Sequence, residues 1–360
     1  TTLYSDLNLE TVNAFVISDS YYDMSKSNID GFADSVDIIQ TYKKKNDAAS
    51  GPDIDVTKDT FTVYLSGLDN MGSPDQQTRS DTNLILIVNP KANHIDMVSL
   101  PRDGYIPNAA YDYKNDKLTH TGNDGIENSV ETIQNFFGIP IDYYARVSFN
   151  SLIEIVDTIG GIDVDVEIDF CEQDENRSFK KEDLICLKKG KQHLNGKQAL
   201  AYSRHRKTKG YDNAGRERAQ QRIIKAIINK LISANGLTKV NDLMDIAPNY
   251  IITNMPAEKI ADFVSGELNE LKPWTISSIT SDNGVYEDLY VASLDPSLGV
   301  SNVYLFSRDE VHAVVNAYDA ARRQLQMNSF TFNLNDLYAN TPKINTSENI
   351  RYADMAENPQ

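Results

Sequence analysis

Apolar and polar positions follow several distinct rhythms along the 360-residue chain. The stretch FTVYLSGLD (61–69) is rich in β-branched and aromatic residues and predicts a strand. TNLILIVN (82–89) is apolar at successive positions, as a central strand covered on two sides must be, and HIDMVSL (94–100) follows it after the turn-prone PKAN. These two predict a hairpin. The start of its first strand and the end of its second then lie side by side, which sets Arg79 and Asp81 next to Arg102 and Asp103. Farther along, IENSVETIQNFFG (126–138) carries Ile126, Val130, Ile133 and Phe137 at helical spacing. A strand around 143–148, a helix from Ser151 to Ile159, a Gly160-Gly161 stop and the strand IDVDVEI come next. SRDE (307–310) is a capping box opening a helix with Val311, Val314, Val315 and Tyr318 inward. Helices alternating with strands around an apolar sheet predict an α/β fold, a three-layer α-β-α arrangement.

Texture divides the chain into three parts. Residues 1–57 read as a small separate unit and linker: FADSVDIIQTYKKK places Phe32, Val36 and Ile39 at helical spacing, and the small, polar NDAASGPD follows. Residues 58–330 hold the alternating elements. Residues 331–360, rich in Asn, Thr and Ser, read as a polar tail, either laid on the domain as an extended strand or without order.

The net charge of -17 argues against a nucleic-acid binder, which needs a basic excess to displace counterions from a phosphate backbone. Hydrophobic residues at 40% are enough for a sizeable core. No run of 18 apolar residues is present, so nothing in the sequence reads as a membrane span. The chain opens on Thr1, so a trimmed or processed form is expected. Cys171 and Cys186 fit either a disulfide, worth roughly 3 kcal/mol for such a loop, or two free thiols; their spacing does not suit a metal site.

One segment reverses the sign of the acidic chain. AYSRHRKTKGYDNAGRERAQQR (201–222) holds seven of the 35 Lys and Arg residues and two carboxylates. A solvated helix face is the plain explanation, and helical geometry tests it. At roughly 100° per residue, Gln220 falls near the centre of the arc of Ile223, Ile224, Ile227, Ile228 and Leu231, and Arg216 lies within about 50° of it. Arg218, Arg222 and Lys225 point the other way. An inward guanidinium must be paired or meet a ligand, and a helix N-terminus favours an anion. Arg204 and Arg206, two apart, share a face if their segment is extended, and His205 between them then faces away and is structural. Inward arginines converging on a helix start point to a diphosphate, because each planar fork donates two parallel hydrogen bonds. The loop carboxylates Asp69, Asp81 and Asp103 gather at the same strand ends, where carboxylates beside a diphosphate suit Mg2+. No GxxxxGK[ST], HExxH or GxSxG motif occurs.

The assembled blocks are GLDN with RSDTNLILIV (67–88), VSLPRDGYI (98–106), DKLTH (116–120), GGIDVDV (160–166), LNGKQALAYSRHR (194–206) and GRERAQQR (215–222). As a set and in this order they resemble the LytR-CpsA-Psr family of cell-wall glycopolymer transferases, and they cover about 60–235. The resemblance implies a three-layer α-β-α domain with a mixed central sheet and, for residues 1–57, a small accessory domain. It implies a membrane anchor preceding this chain and a catalytic domain outside a Gram-positive cell. The implied reaction takes a teichoic acid or capsular polysaccharide from its polyprenyl pyrophosphate carrier and joins the polymer's phosphate to a peptidoglycan hydroxyl. By motif position, Asp69 and Asp81 would be the Mg2+ carboxylates and Arg102 the residue at the reacting phosphate. Arg79, Lys117, Arg204, Arg206, Arg216 and Gln220 would hold the diphosphate, and Asp103 is the candidate base. A hydrolase would use the same residues with water as acceptor, and a lipid-binding regulator without turnover would bind lipid independently of Arg102 and Mg2+. The helices at 126–138 and 214–232 are expected to form a groove for the lipid. The insert between the two cysteines falls outside the shared pattern and is expected to decorate a hairpin.

Overall fold

The computed structural model describes residues 51–175, 178, 180–211, 213–231, 239–270, 273–323 and 352. The proposed accessory unit up to residue 50, and the polar tail apart from Tyr352, lie outside the described residues. In chain order the first elements are β1 (Phe61–Leu68), β2 (Ser80–Asn89), β3 (His94–Leu100), β4 (Tyr105–Asn108), β5 (Lys114–Lys117), α1 (Ile126–Phe137), β6 (Tyr143–Val147) and α2 (Phe149–Thr158). Then come β7 (Ile162–Val166), β8 (Phe170–Glu172), β9 (Ile185–Leu187), β10 (Gly190–Leu194), α3 (Gly196–Arg204), α4 (Asn213–Leu231) and α5 (Val240–Tyr250). The last are β11 (Ile251–Thr253), α6 (Ala257–Glu270), β12 (Thr275–Ile279), β13 (Val285–Leu289), β14 (Ser301–Leu305) and α7 (Arg308–Arg323).

Six strands form the central sheet in the order β11-β6-β1-β2-β3-β12. It is mixed: β2 is antiparallel to both β1 and β3, whereas β1 and β6, and β3 and β12, run parallel. Because side chains alternate across a strand, β2 feeds two cores at once. Ile85 and Ile87 join Val98, Leu100, Tyr144 and the inward sides of α1 and α7. Leu84, Leu86 and Val88 join Phe61, Met97 and Tyr143, with Ile224 and Ile228 of α4 and Phe263 of α6 packed against them. The apolar run at 82–89 is therefore a strand covered on two sides, and the architecture is the expected three-layer α-β-α. Truncating a fully buried Ile85 or Ile87 to Ala removes about 2–5 kcal/mol.

A second core lies beside the sheet, where Val156, Ile162, Val164, Leu194, Tyr202, Ala219 and Ile223 bring α2, α3 and α4 together with the β7–β10 hairpin. The capping box before α7 is present: Ser307 N–H donates to Glu310, and Glu310 N–H donates to Ser307 Oγ. Residues 51–57, placed in the linker from the sequence, are seated on the domain, with Val56 buried and Pro52 O accepting from Tyr143 Oη. Tyr352 of the tail packs against the core of α1 and α7 and lies under Arg308. Among the described residues no helix is long and apolar enough to cross a membrane.

Candidate active site

The antiparallel pairing of β2 and β3 aligns Asn83 with Leu100, so Asp81 and Arg102 emerge at the same sheet end. Their side chains meet: Arg102 Nη1 lies 2.5 Å from Asp81 Oδ2. Asp103 Oδ1 sits 3.9 Å from Arg102 Nε and 2.9 Å from Lys117 Nζ, and Thr119 Oγ1 donates to the other Asp81 oxygen at 2.9 Å. Four predicted residues, Asp81, Arg102, Asp103 and Lys117, thus form one half-buried ionic cluster. Lys117 reaches it because β5 pairs with β4, which follows directly from the Arg102–Asp103 turn. The turn over Leu118–Asp124 is drawn tight against β2: a Cβ on Gly122 would fall 2.6 Å from Thr78 O and 2.8 Å from Ser80 N, so only glycine fits there.

Arg216, in the first turn of α4, is 7% exposed. Its Nε is buried without a hydrogen-bond partner, and among the described residues it forms no ion pair. Burial lowers its pKa from the usual guanidinium value, the nearby charge of Arg102 acts in the same direction, and Asp81 opposes it. Arg206 adds to the repulsion, which places all three arginines within one electrostatic neighbourhood. Asp81 and Glu217 offset part of this repulsion, and the desolvated guanidinium can still receive an anion. The helical wheel is right about Arg216 and imprecise about its neighbour. Gln220 is half-buried and donates to Ser203 O, while Gln221 is the buried glutamine and its Nε2 lacks a partner.

Arg204 departs from expectation. It is the last residue of α3, not part of an extended segment, so the two-residue spacing does not put Arg204 and Arg206 on one strand face. Arg204 lies 5.2 Å over the Phe149 ring and donates to Asp174 O, whereas Arg206 is exposed. His205 is structural, as expected: it is buried, stacks 4.3 Å from Phe170, and bonds Glu172 through Nδ1 and Thr208 through Nε2. These contacts also revise the reading of the insert. Cys171 and Cys186 are cross-strand partners in the β8–β9 hairpin and form a disulfide. Glu172 and Asp174 of this hairpin grip the Arg204–Lys207 segment, so it braces the basic segment as well as decorating the fold. Burial raises the Glu172 pKa, but the bonds from His205 and Gln173 N–H outweigh it and the net shift is downward.

Asp69 and Arg79 flank the loop between β1 and β2. Leu68 pairs with Ser80, so both leave neighbouring strand ends; both are exposed. Among the described residues no group of three or more His, Cys, Asp or Glu side chains converges as a metal cage. Two hard carboxylates, Asp69 and Asp81, at adjacent strand ends nonetheless suit Mg2+, which is commonly held by one or two carboxylates plus phosphate oxygens and water.

The sequence pattern did not single out Arg146. Its 3% exposed guanidinium donates from Nη2 to Gln76 O, Thr78 O and Gly122 O, tying β6 to the 69–79 loop and to the turn after Lys117. A lone arginine at an inward position of YYARV was the available signal, since a charge there must find partners. The expected groove between the helices at 126–138 and 214–232 is not formed by that pair. α1 packs on one face of the sheet, and α4 packs Ile224 and Ile228 against the other.

Comparison with known proteins agrees with the arrangement of these motifs. The LytR_cpsA_psr family model matches residues 24–296. The chain is 31% identical over 268 residues to the polyisoprenyl-teichoic acid-peptidoglycan teichoic acid transferase TagV of Bacillus subtilis (strain 168), covering 71% of this chain and 62% of that protein. It is 34% identical over 234 residues to the same organism's transferase TagU, covering 64% of this chain and 72% of TagU. The crystal structure of B. subtilis TagV superposes with a TM-score of 0.60 at 28% identity, over 73% of this chain and 97% of that one. With the family model spanning most of the chain, this protein belongs to the LytR-CpsA-Psr family.

Proposed function

We propose that the chain is a Mg2+-dependent phosphotransferase that moves a teichoic acid or related glycopolymer from a polyprenyl pyrophosphate carrier to a peptidoglycan hydroxyl, forming a phosphodiester. The names of TagV and TagU support the donor and acceptor. The observation that carries the reading is the ionic cluster of Asp81, Arg102, Asp103 and Lys117 beside the buried Arg216. In this reading the acceptor oxygen attacks the phosphorus that bears the polymer, the bond to the bridging oxygen breaks, and polyprenyl phosphate leaves. Arg102 exchanges its Asp81 contact for the reacting phosphate. Arg216, Arg206, Arg204, Arg79, Lys117 and Gln220 hold the two phosphates, and Asp103 accepts the hydroxyl proton. Asp69 and Asp81 would hold Mg2+, which neutralises charge developing on the phosphate oxygens. Fixed cations aimed at that charge supply most of the rate. The domain would act at the outer face of the membrane where the carrier lipid resides.

The test supplies a short polyprenyl pyrophosphate-linked sugar phosphate, a peptidoglycan oligomer and Mg2+, and detects products by mass spectrometry. A phosphodiester-linked product that disappears with Arg102→Ala is the expected result. Free sugar phosphate alone would identify a hydrolase, and intact bound lipid would refute catalysis.

A further inference from the structure

Among the described residues, the large apolar side chains most open to solvent are Val285, Tyr286, Tyr290, Leu298 and Val300, all within one segment of β13 and its following loop. The sheet topology puts this segment at the reacting end. β12 runs parallel to β3, so the chain leaves β12 toward the same end at which β3 delivers Arg102. The β13–β14 hairpin is then fastened to the catalytic loops: Tyr304 N–H donates to Asp103 O, Tyr105 Oη to Tyr290 O, and Ala292 N–H to Asn115 O. Ser293 Oγ donates to the buried Asp116, the residue before Lys117.

The outward face of the hairpin has a definite chemistry. Tyr286, Asp288 and Tyr290 alternate along the extended chain and are all exposed, Tyr286 by 51% and Tyr290 by 60%. Between the two rings, Asn302 Nδ2 donates to Asp288 Oδ1 from the paired strand. Tyr286 packs edge-on against Tyr304, which restricts its ring. Two exposed aromatic rings, one of them held by Tyr304, flank a carboxylate-amide pair and suit a sugar chain, whose ring faces stack and whose hydroxyls need donors and acceptors. Charge narrows the occupant. Every charged residue from 281 to 300 is acidic (Asp282, Glu287, Asp288 and Asp295), which disfavours a polyanionic donor polymer and anionic lipid headgroups.

We infer that the β13–β14 face is the docking platform for the acceptor glycan strand, with Tyr286 and Tyr290 as its stacking residues. This rests on the transferase reading and adds where the acceptor is held. The experiment titrates a peptidoglycan oligosaccharide into the protein and into Tyr286→Ala, Tyr290→Ala and the double variant. Each single variant is expected to bind about tenfold more weakly, by the usual worth of a buried interface tyrosine. Binding of farnesyl pyrophosphate stays unchanged in all three, which also shows that the fold is intact. Oligosaccharide affinity equal to that of the unaltered protein in the double variant overturns the platform. So does loss of binding to phosphatidylglycerol vesicles in place of the oligosaccharide, which would make the face a membrane contact. The transfer assay separates the two readings: loss of transfer in Arg102→Ala with oligosaccharide binding retained supports both, and an unaltered protein that binds the oligosaccharide through both tyrosines but forms no phosphodiester product refutes the transferase chemistry and keeps the platform.

Discussion

Two groups of cations meet at one end of the sheet and are held there by opposite means. Arg102 and Lys117 are neutralised within their own cluster by Asp81 and Asp103. Arg216 is buried with its Nε unpartnered, near Arg102 and Arg206 as well as Asp81 and Glu217, and is kept in place by the packing of α4. The first group is set for exchange, since a phosphate can displace a carboxylate from Arg102. The second offers a desolvated guanidinium whose Nε has no partner, which an anion would satisfy. A site built from both can hold a diphosphate through the second group and act on it through the first.

The largest effect is expected from Arg102→Ala, which removes the cation at the reacting phosphate and should lower the transfer rate about 100-fold to 1,000-fold, the usual worth of one such donor. Rapid-quench measurement of product formation checks it. Arg216→Met should weaken farnesyl pyrophosphate binding about 10-fold to 100-fold and yet raise the melting temperature, because an apolar chain of similar length removes the desolvation cost of the buried guanidinium. A lowered melting temperature would instead make Arg216 a structural residue. Removing the disulfide with Cys171→Ala/Cys186→Ala should cost about 3 kcal/mol in denaturant unfolding. It should also weaken pyrophosphate binding a few-fold, since the hairpin holds Arg204 through Asp174 O.

The smallest effect concerns pH. The Glu172 carboxyl is shifted down in the folded protein from its ordinary value of 4.5. Its contribution is therefore fully present above that value and is lost as pH falls through the lower folded-state pKa. Thermal melts between neutral pH and pH 3 should show a steeper acid loss in the unaltered protein than in Glu172→Gln. His205, Lys207 and the Gln173 amide are the groups that face this carboxylate.

The sheet and the Asp81–Arg102 half of the first cation group were legible in the sequence because both follow from short-range rules, whereas Lys117 came only from the family resemblance of DKLTH. An apolar run, a turn and a second apolar run define a hairpin, and a hairpin fixes which residues meet across it, so the spacing alone pairs Asp81 with Arg102. Arg216 was legible from the wheel of α4. Arg204 was not, because the choice between helix and extended chain at 194–206 depends on Tyr202 and Leu194 packing into the second core. Arg146 was missed since its partners are main-chain carbonyls that carry no sequence signal. The bracing role of the cysteine hairpin depends on Glu172 and His205, 33 residues apart, meeting in space.

The most direct test of the two-group account is calorimetric titration of farnesyl pyrophosphate and farnesyl monophosphate into the unaltered protein and Arg216→Met. The account predicts that the unaltered protein prefers the diphosphate by at least about tenfold and that Arg216→Met loses most of that preference. Equal affinity for the two ligands in the unaltered protein, or a preference that survives Arg216→Met unchanged, would contradict it.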